Sequence, residues 1–229
     1  MTPMRLLQLD TRDPALNLAV DEVLLDSATA GDVARVWRNA PSVIIGANQV
    51  AEEEVDAASL SAEGLRVYRR CTGGGAVFHD EGVVNFSFVT DAGRPVAELL
   101  RLVLDAIGVE GLVTERNDVL LDGRKIIGTA QAVRGNRRLF HGSILYDADL
   151  ERMARVLTPE VGKLARHGVA SVAARVANLR PRFPGGGETP HFVWRLVDGL
   201  ARRLGLANMY PSDGFLRQAE RLRHPPVAG

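Results

Sequence analysis

Arg69-Arg70-Cys71-Thr72-Gly73-Gly74-Gly75-Ala76-Val77-Phe78-His79-Asp80 decides how the rest of the chain is read. Leu65 to Arg70 reads as a strand. On the far side, Ala76 to Phe78 and Val83 to Val89 carry the β-branched and aromatic residues that suit a pleated conformation. The glycines therefore join strand to strand. A dinucleotide-binding GxGxxG or a GxxxxGK[ST] phosphate loop needs glycines that open a helix, and neither pattern is present. Two guanidinium groups at a strand end, beside amides free of Cβ obstruction, suit phosphate or carboxylate oxygens. A tight hairpin flanked by solvated arginines would look the same, so this segment needs support from elsewhere.

Outward from it, Met4 to Asp10 alternates as a strand, and Asp13-Pro14 supplies an N-cap with proline at the first helical position. Leu16, Val20, Val23 and Leu24 follow at helical spacing. Val33 to Arg38 and Ser42 to Gly46 read as strands divided by Asn39-Ala40-Pro41, and Glu52 to Leu60 as a short acidic helix. Val96 to Ile107 is helical by period. Leu112 to Leu121 and Lys125 to Gln131 are extended around an Asp122-Gly123 turn, and Leu139 to Tyr146 is a further strand. Asp149 to Leu157 and Phe192 to Leu204 read as helices, Arg180 to Pro190 as an exposed loop, and Arg221 to Gly229 as a frayed tail. Neighbouring hairpins with few helices between them predict an α+β fold, with a mixed, largely antiparallel β-sheet flanked by helices.

A chain of 229 residues with 46% apolar content can bury one sizeable core, so residues 1–229 are expected to form a single domain. Acidic and basic residues are both 28, which leaves no global field to attract nucleic acid or an acidic membrane. The N-terminus lacks a signal-peptide apolar run, and no stretch approaches the roughly 20 apolar residues of a membrane span. Cys71 is the single cysteine and cannot form an internal disulfide. A cytoplasmic location is the expectation. Only two of the 28 cationic residues are lysines, Lys125 and Lys163. In a chain that otherwise writes arginine, a retained lysine marks a place for a compact, rotatable ammonium, although a coding bias could leave the same pair.

Two further segments carry polar groups. Arg116-Asn117-Asp118-Val119-Leu120-Leu121-Asp122-Gly123-Arg124-Lys125-Ile126-Ile127-Gly128-Thr129-Ala130-Gln131 sets a polar pair ahead of one strand and a lysine at the start of the next, so a hairpin can bring them to one end of the sheet. Phe140-His141-Gly142-Ser143-Ile144-Leu145-Tyr146 is a strand opening with an imidazole and a glycine. A lone histidine of this kind is ordinarily structural.

Together, in this order and spacing, the three segments resemble the lipoate–protein ligase family, part of the wider biotin and lipoate ligase group. That family has an Arg-Arg-x-[Ser/Thr]-Gly-Gly-Gly-Ala-Val strand end, an Asn-Asp strand, a Gly-x-Lys-[Ile/Val]-x-Gly-[Ser/Thr]-Ala hairpin and a His-Gly-[Ser/Thr] strand. Each element is present here, and the resemblance continues through Lys163-Leu164-Ala165, Ser171-Val172, Arg175-Val176 and Asn178-Leu179, over roughly residues 5 to 205. It implies a biotin/lipoate ligase-like fold, akin to class II aminoacyl-tRNA synthetases. It also implies adenylation of lipoic acid with ATP and Mg²⁺, then transfer to a lysine of a lipoyl carrier domain of the 2-oxoacid dehydrogenase E2 or glycine cleavage H protein type.

By the same resemblance, Lys125 is the catalytic cation on carboxylate and α-phosphate. Arg70, Thr72, Gly73, Gly74, Gly75, Val77, His79, Asn117, Asp118, Gly128, Thr129, Ala130, His141 and Gly142 are implied to bind substrate or nucleotide, with Asp118 also a Mg²⁺ ligand. Val77, Phe78, Phe86 and Ile144 are candidates to line an acyl slot. Family ligases often carry a second histidine where this chain has Phe140, and an asparagine where it has Val83. Full-length bacterial members also have a small C-terminal domain that does not fit within this chain, so either a separate accessory subunit supplies it or this chain performs only the transfer half. Two other readings remain open: an ATP-independent octanoyl or lipoyl transferase holding the acyl group on Cys71 as a thioester, and a non-catalytic lipoate or carrier-binding module.

Overall fold

The computed structural model describes residues 4–27, 31–115, 117–157, 175–205 and 207–229. Arg116, Lys163-Leu164-Ala165 and Ser171-Val172, named above, lie outside the described residues. The chain opens with β1 (Arg5–Leu7), α1 (Pro14–Asp26), β2 (Val33–Trp37) and β3 (Ser42–Ile45). Next come α2 (Ala51–Glu54), α3 (Ala57–Ala62), β4 (Val67–Arg69), β5 (Val77–His79), β6 (Val83–Asp91) and α4 (Val96–Ile107). β7 (Leu112–Val113), β8 (Val119–Leu121), β9 (Arg124–Arg134), β10 (Arg137–Leu145) and α5 (Leu150–Val156) lead to a 3₁₀ turn at Arg180–Arg182. The described chain closes with α6 (Thr189–Leu204), β11 (Ala207–Met209) and α7 (Asp213–Leu222).

The main sheet has eight strands in the order β11-β1-β2-β6-β10-β9-β8-β7. It is antiparallel from β2 to β7 and parallel along β2, β1 and β11. A second sheet orders β4-β3-β5. The mixed, largely antiparallel α+β architecture is the expected one.

The central strands β6 and β10 are covered on both faces, and their alternation shows how the site arises. Val84, Phe86 and Phe88 of β6, with Phe140 and Ile144 of β10, face a cluster closed by Leu99, Leu100, Val103 and Leu104 of α4 and by Phe192, Leu196 and Leu200 of α6. On the other face, Val89 and Leu139 pack beneath α1, while Val83 and Leu145 pack beneath the small sheet. Between those two apolar patches the same period-2 positions are polar: Asn85 and Ser87 on β6, His141 and Ser143 on β10. A gap between two cores, floored in part by Asn85, His141 and Ser143, is the consequence.

Several boundaries differ from the sequence expectation. The acidic helix is two short ones, because Asp56 leaves helical geometry and its side chain accepts from Ser59 N to cap the second. Leu112 to Leu121 is not extended throughout: Asn117, at φ 61°, closes a turn in which its N–H reaches Thr114 O at 2.9 Å. The glycine run is not a hairpin, since β4 and β5 lie on opposite sides of β3. The loop before α6 is ordered by Tyr146, whose hydroxyl donates to Gly187 O at 3.0 Å, and α6 begins at Thr189. The tail is not frayed: Val67 N donates to Ala228 O at 2.8 Å and Val227 N to Val67 O at 2.7 Å, closing the edge of β4. β11 and α7 had no sequence expectation. Among the described residues no helix is long and apolar enough to cross a membrane.

Candidate active site

The cavity floor is two rows across the main sheet. Trp37, Asn85, Ser143 and Gly128 are paired in register along one row, and Arg35, Ser87, His141 and Ala130 along the next, of which Arg35 and Ser87 are buried away from the cavity lining. Ile44, Val77 and His79 of the small sheet, Leu18 of α1, and Gly75 and Ala76 of the glycine loop form the walls. Lys125 stands at the start of β9.

The loop is organised from behind by Arg70, which is only 6% exposed. Its Nε donates to Thr72 Oγ1 at 3.0 Å, one terminal nitrogen to Ile44 O at 3.1 Å, and the other to Gly73 O and Gly75 O, both at 2.8 Å. With the carbonyls turned toward Arg70 and Gly74 at φ 93°, the amides of Gly73, Gly74 and Gly75 have no acceptor among the described residues. Burial lowers Arg70 to about 10, which leaves it a cation at neutral pH. Thr72 Oγ1 in turn meets His141 Nε2 at 2.8 Å, and His141 Nδ1 lies 3.3 Å from Asp21 Oδ2. Burial alone would raise the Asp21 carboxyl, but the Arg35 guanidinium at 2.9 Å, with His141 and Ser87, holds it below the usual range. Ser87 donates to Asp21 at 2.7 Å and receives Trp37 Nε1–H at 2.9 Å.

The opposite side is lighter. Lys125 Nζ sits 2.9 Å from Asp118 Oδ2, with the two side chains 39% and 26% exposed. Gly128 makes room for this lysine: a Cβ there would come within 2.8 Å of Lys125 Cε and 3.0 Å of Nζ. Thr129 Oγ1 donates to Asn117 O at 2.9 Å, fixing the turn that presents Asp118.

Of the residues singled out from sequence, Arg70, Gly75, Val77, His79, Lys125, Gly128, Thr129, Ala130, His141 and Gly142 line the cavity. Thr72, Gly73, Gly74, Asn117 and Asp118 are not among the lining residues, although Thr72 bonds to His141 and Asp118 to Lys125, which are. Phe78, Phe86 and Ile144 are core residues, 1% exposed or less, and not part of the slot. Its apolar surface comes instead from Leu18, Trp37, Ile44 and Ala76, with Val77. Asn85 and Ser143 were also unforeseen, although a polar residue at alternate positions of an otherwise apolar strand was a usable signal. Among the described residues no group of three His, Cys, Asp or Glu side chains could hold a metal. Cys71 packs partly buried against the cluster beneath α1 rather than on the cavity, and burial, with Glu22 and Asp21 nearby, pushes its thiol up to about 12.

A slot with an apolar wall at one side, and a lysine and free amides at the other, suits a carboxylic acid with an apolar tail, and marks an acid-activating or acyl-handling protein. The family model of the lipoyl protein ligase A/B catalytic domain matches residues 13–201, and the chain belongs to that family. Among solved structures it is similar to a bi-partite lipoate protein ligase from the archaeon Thermoplasma acidophilum, described with its E2 lipoyl domain, at 30% identity over 97% of this chain and 92% of that one, TM-score 0.80. A T. acidophilum structure with bound lipoic acid matches at 30% identity over 96% and 95% of the two chains, TM-score 0.77. A lipoate-protein ligase A bound with ATP matches at 29% over 96% and 94%, TM-score 0.77.

Proposed function

We propose that this chain is the catalytic domain of a lipoate–protein ligase, which activates lipoate with ATP as lipoyl-AMP and passes the lipoyl group to a lysine of a lipoyl carrier domain. The observation that carries the reading is Lys125, laid over Gly128 at the mouth of a slot whose far wall is apolar. Similarity to proteins described with lipoic acid and with ATP supports both substrates.

In the first step a carboxylate oxygen attacks the α-phosphorus and pyrophosphate leaves, so the groups required are cations and oriented N–H donors. Lys125 exchanges Asp118 for the carboxylate and α-phosphate oxygens, and the Gly73–Gly75 amides receive phosphate charge. Arg70 sets the shape of that loop. Mg²⁺ brought by ATP is ordinarily held by one or two carboxylates besides the phosphates, and Asp118 fits as one. In the second step the carrier amine attacks the acyl carbon, AMP leaves, and the amine's proton passes to a phosphate oxygen of the departing AMP.

The carrier is of the E2 or H protein type, and residues 1–229 act as one domain beside a separate accessory subunit. Likeness to a chain of a bi-partite ligase, over nearly the full length of both, supports that arrangement. The test is intact mass of an apo lipoyl domain after incubation with the chain, lipoate, ATP and Mg²⁺, with a parallel arm supplied with lipoyl-AMP. Modification in both arms marks a complete ligase, and modification only with lipoyl-AMP a transfer unit that needs its subunit for activation. No modification in either arm overturns the proposal.

A further inference from the structure

Four buried polar side chains and the half-buried Ser143 form a one-way hydrogen-bond chain that ends at the cavity. Asn17 Nδ2 donates to the carbonyls of Thr11 at 3.2 Å and Arg38 at 3.0 Å, which fixes its amide orientation. The same nitrogen donates to Asn39 Oδ1 at 2.9 Å, so Asn39 must present Nδ2 to His79 Nδ1, 3.0 Å away. His79 is neutral, pulled down to about 3 by burial and by the nearby Arg70 and His141. With Nδ1 accepting, its single proton is on Nε2 and goes to Ser143 Oγ at 2.9 Å. Ser143 then has only its hydroxyl hydrogen to give, and gives it to Asn85 Oδ1 at 2.7 Å.

The direction of every link is thereby set, and Asn85 Nδ2 is left as a buried donor with no partner. The side-chain nitrogens sharing that condition among the described residues are Nε of Arg137 and Arg138, neither of which lines the cavity; Asn85 does, at 1% exposure. A buried donor without an acceptor destabilises the empty site, and a ligand acceptor would relieve it. Asn85 shares a floor row with Ser143 and Gly128, two strand spacings or about 10 Å from the strand position over which Lys125 lies. With a carboxylate at Lys125, the extended arm of lipoate would bring its dithiolane ring close to Asn85.

We infer that Asn85 is a specificity-determining residue that donates through Nδ2 to a dithiolane sulfur, so that the slot prefers a sulfur-bearing acyl chain over an all-carbon one. This rests on the lipoate reading above. A sulfur is a weak acceptor, yet an all-carbon tail offers none, and a site built around a donor discriminates against the ligand that lacks the acceptor.

The test is calorimetric titration of the chain with lipoate, octanoate and 5-cyclopentylpentanoate, in which carbon replaces both ring sulfurs. Wild type should bind lipoate about fivefold to tenfold more tightly than the carbocycle, and Asn85→Leu should bring that ratio near one. Asn85→Ala, too small to clash, repeats the comparison if the leucine variant does not fold. A ratio near one in wild type, or one unchanged in the variants, overturns this inference while leaving the lipoate reading standing. Failure of all three acids to bind removes both.

Discussion

The glycine-loop side of the cavity and the hairpin side carry their cations in opposite ways. Arg70 is 6% exposed, and its nitrogens are bonded to Ile44, Thr72, Gly73 and Gly75 within its own wall. Lys125 is more than a third exposed and is held by one carboxylate, that of Asp118 just before the neighbouring strand. An exposed pair of that kind contributes about 0–1 kcal/mol, so an arriving anion can displace Asp118 at little cost. Breaking the contacts of a buried guanidinium leaves carbonyls unpaired, so Arg70 stays where it is. One side is scaffold, and on the proposed function the other holds the charge that moves to a substrate.

That contrast is open to attack from both ends. The largest effect is expected at Lys125→Ala, which should lower lipoyl-AMP formation about a hundredfold to a thousandfold, as for loss of one transition-state donor, and shift stability by no more than about 0.5 kcal/mol. Pyrophosphate release and thermal unfolding of the same preparation measure the two. A variant that melts early would place Lys125 in the scaffold after all. Arg70→Met should show the reverse emphasis, with about 2–3 kcal/mol of stability lost by urea denaturation because the carbonyls of Ile44, Gly73 and Gly75 lose their donor. Retention of wild-type stability would mean the loop is shaped by something other than this arginine.

The scaffold half was the less legible in the sequence. Strand identity followed from β-branched runs such as Val83 to Val89, and the hairpin followed from Asp122-Gly123, because both signals are local. Lys125 stood out by composition alone. What local signals could not supply was the second covered face of β6 and β10, which sends Phe86 and Ile144 to the core and leaves Asn85 and Ser143 on the cavity. Leu18 and Trp37 reach the slot from elements that carry no motif, and Arg70, read as a solvated or ligand-facing group, is buried because β4 and β5 flank β3 instead of pairing with each other. The pairing of the tail with β4 depends on contacts some 160 residues apart in sequence, which no window of a few residues contains.

The smallest effect is expected at Cys71, which separates ligation from a thioester route. A thiol that serves as nucleophile is normally depressed toward neutrality by a nearby cation or helix N-terminus. Cys71 is pushed the other way, to about 12, by burial with the Glu22 and Asp21 carboxylates nearby, and it packs beneath α1 rather than on the slot. Cys71→Ser should therefore leave transfer to the carrier within about twofold of wild type, with at most about 1 kcal/mol of stability lost from placing a hydroxyl among apolar neighbours. Transfer from lipoyl-AMP, followed by intact mass alongside a denaturation curve, measures both. A folded variant that no longer transfers would move the chemistry onto the glycine-loop side and erase the division between scaffold and mobile charge. Unchanged transfer removes the thiol from the chemistry and leaves that side with shape and amides as its proposed contribution.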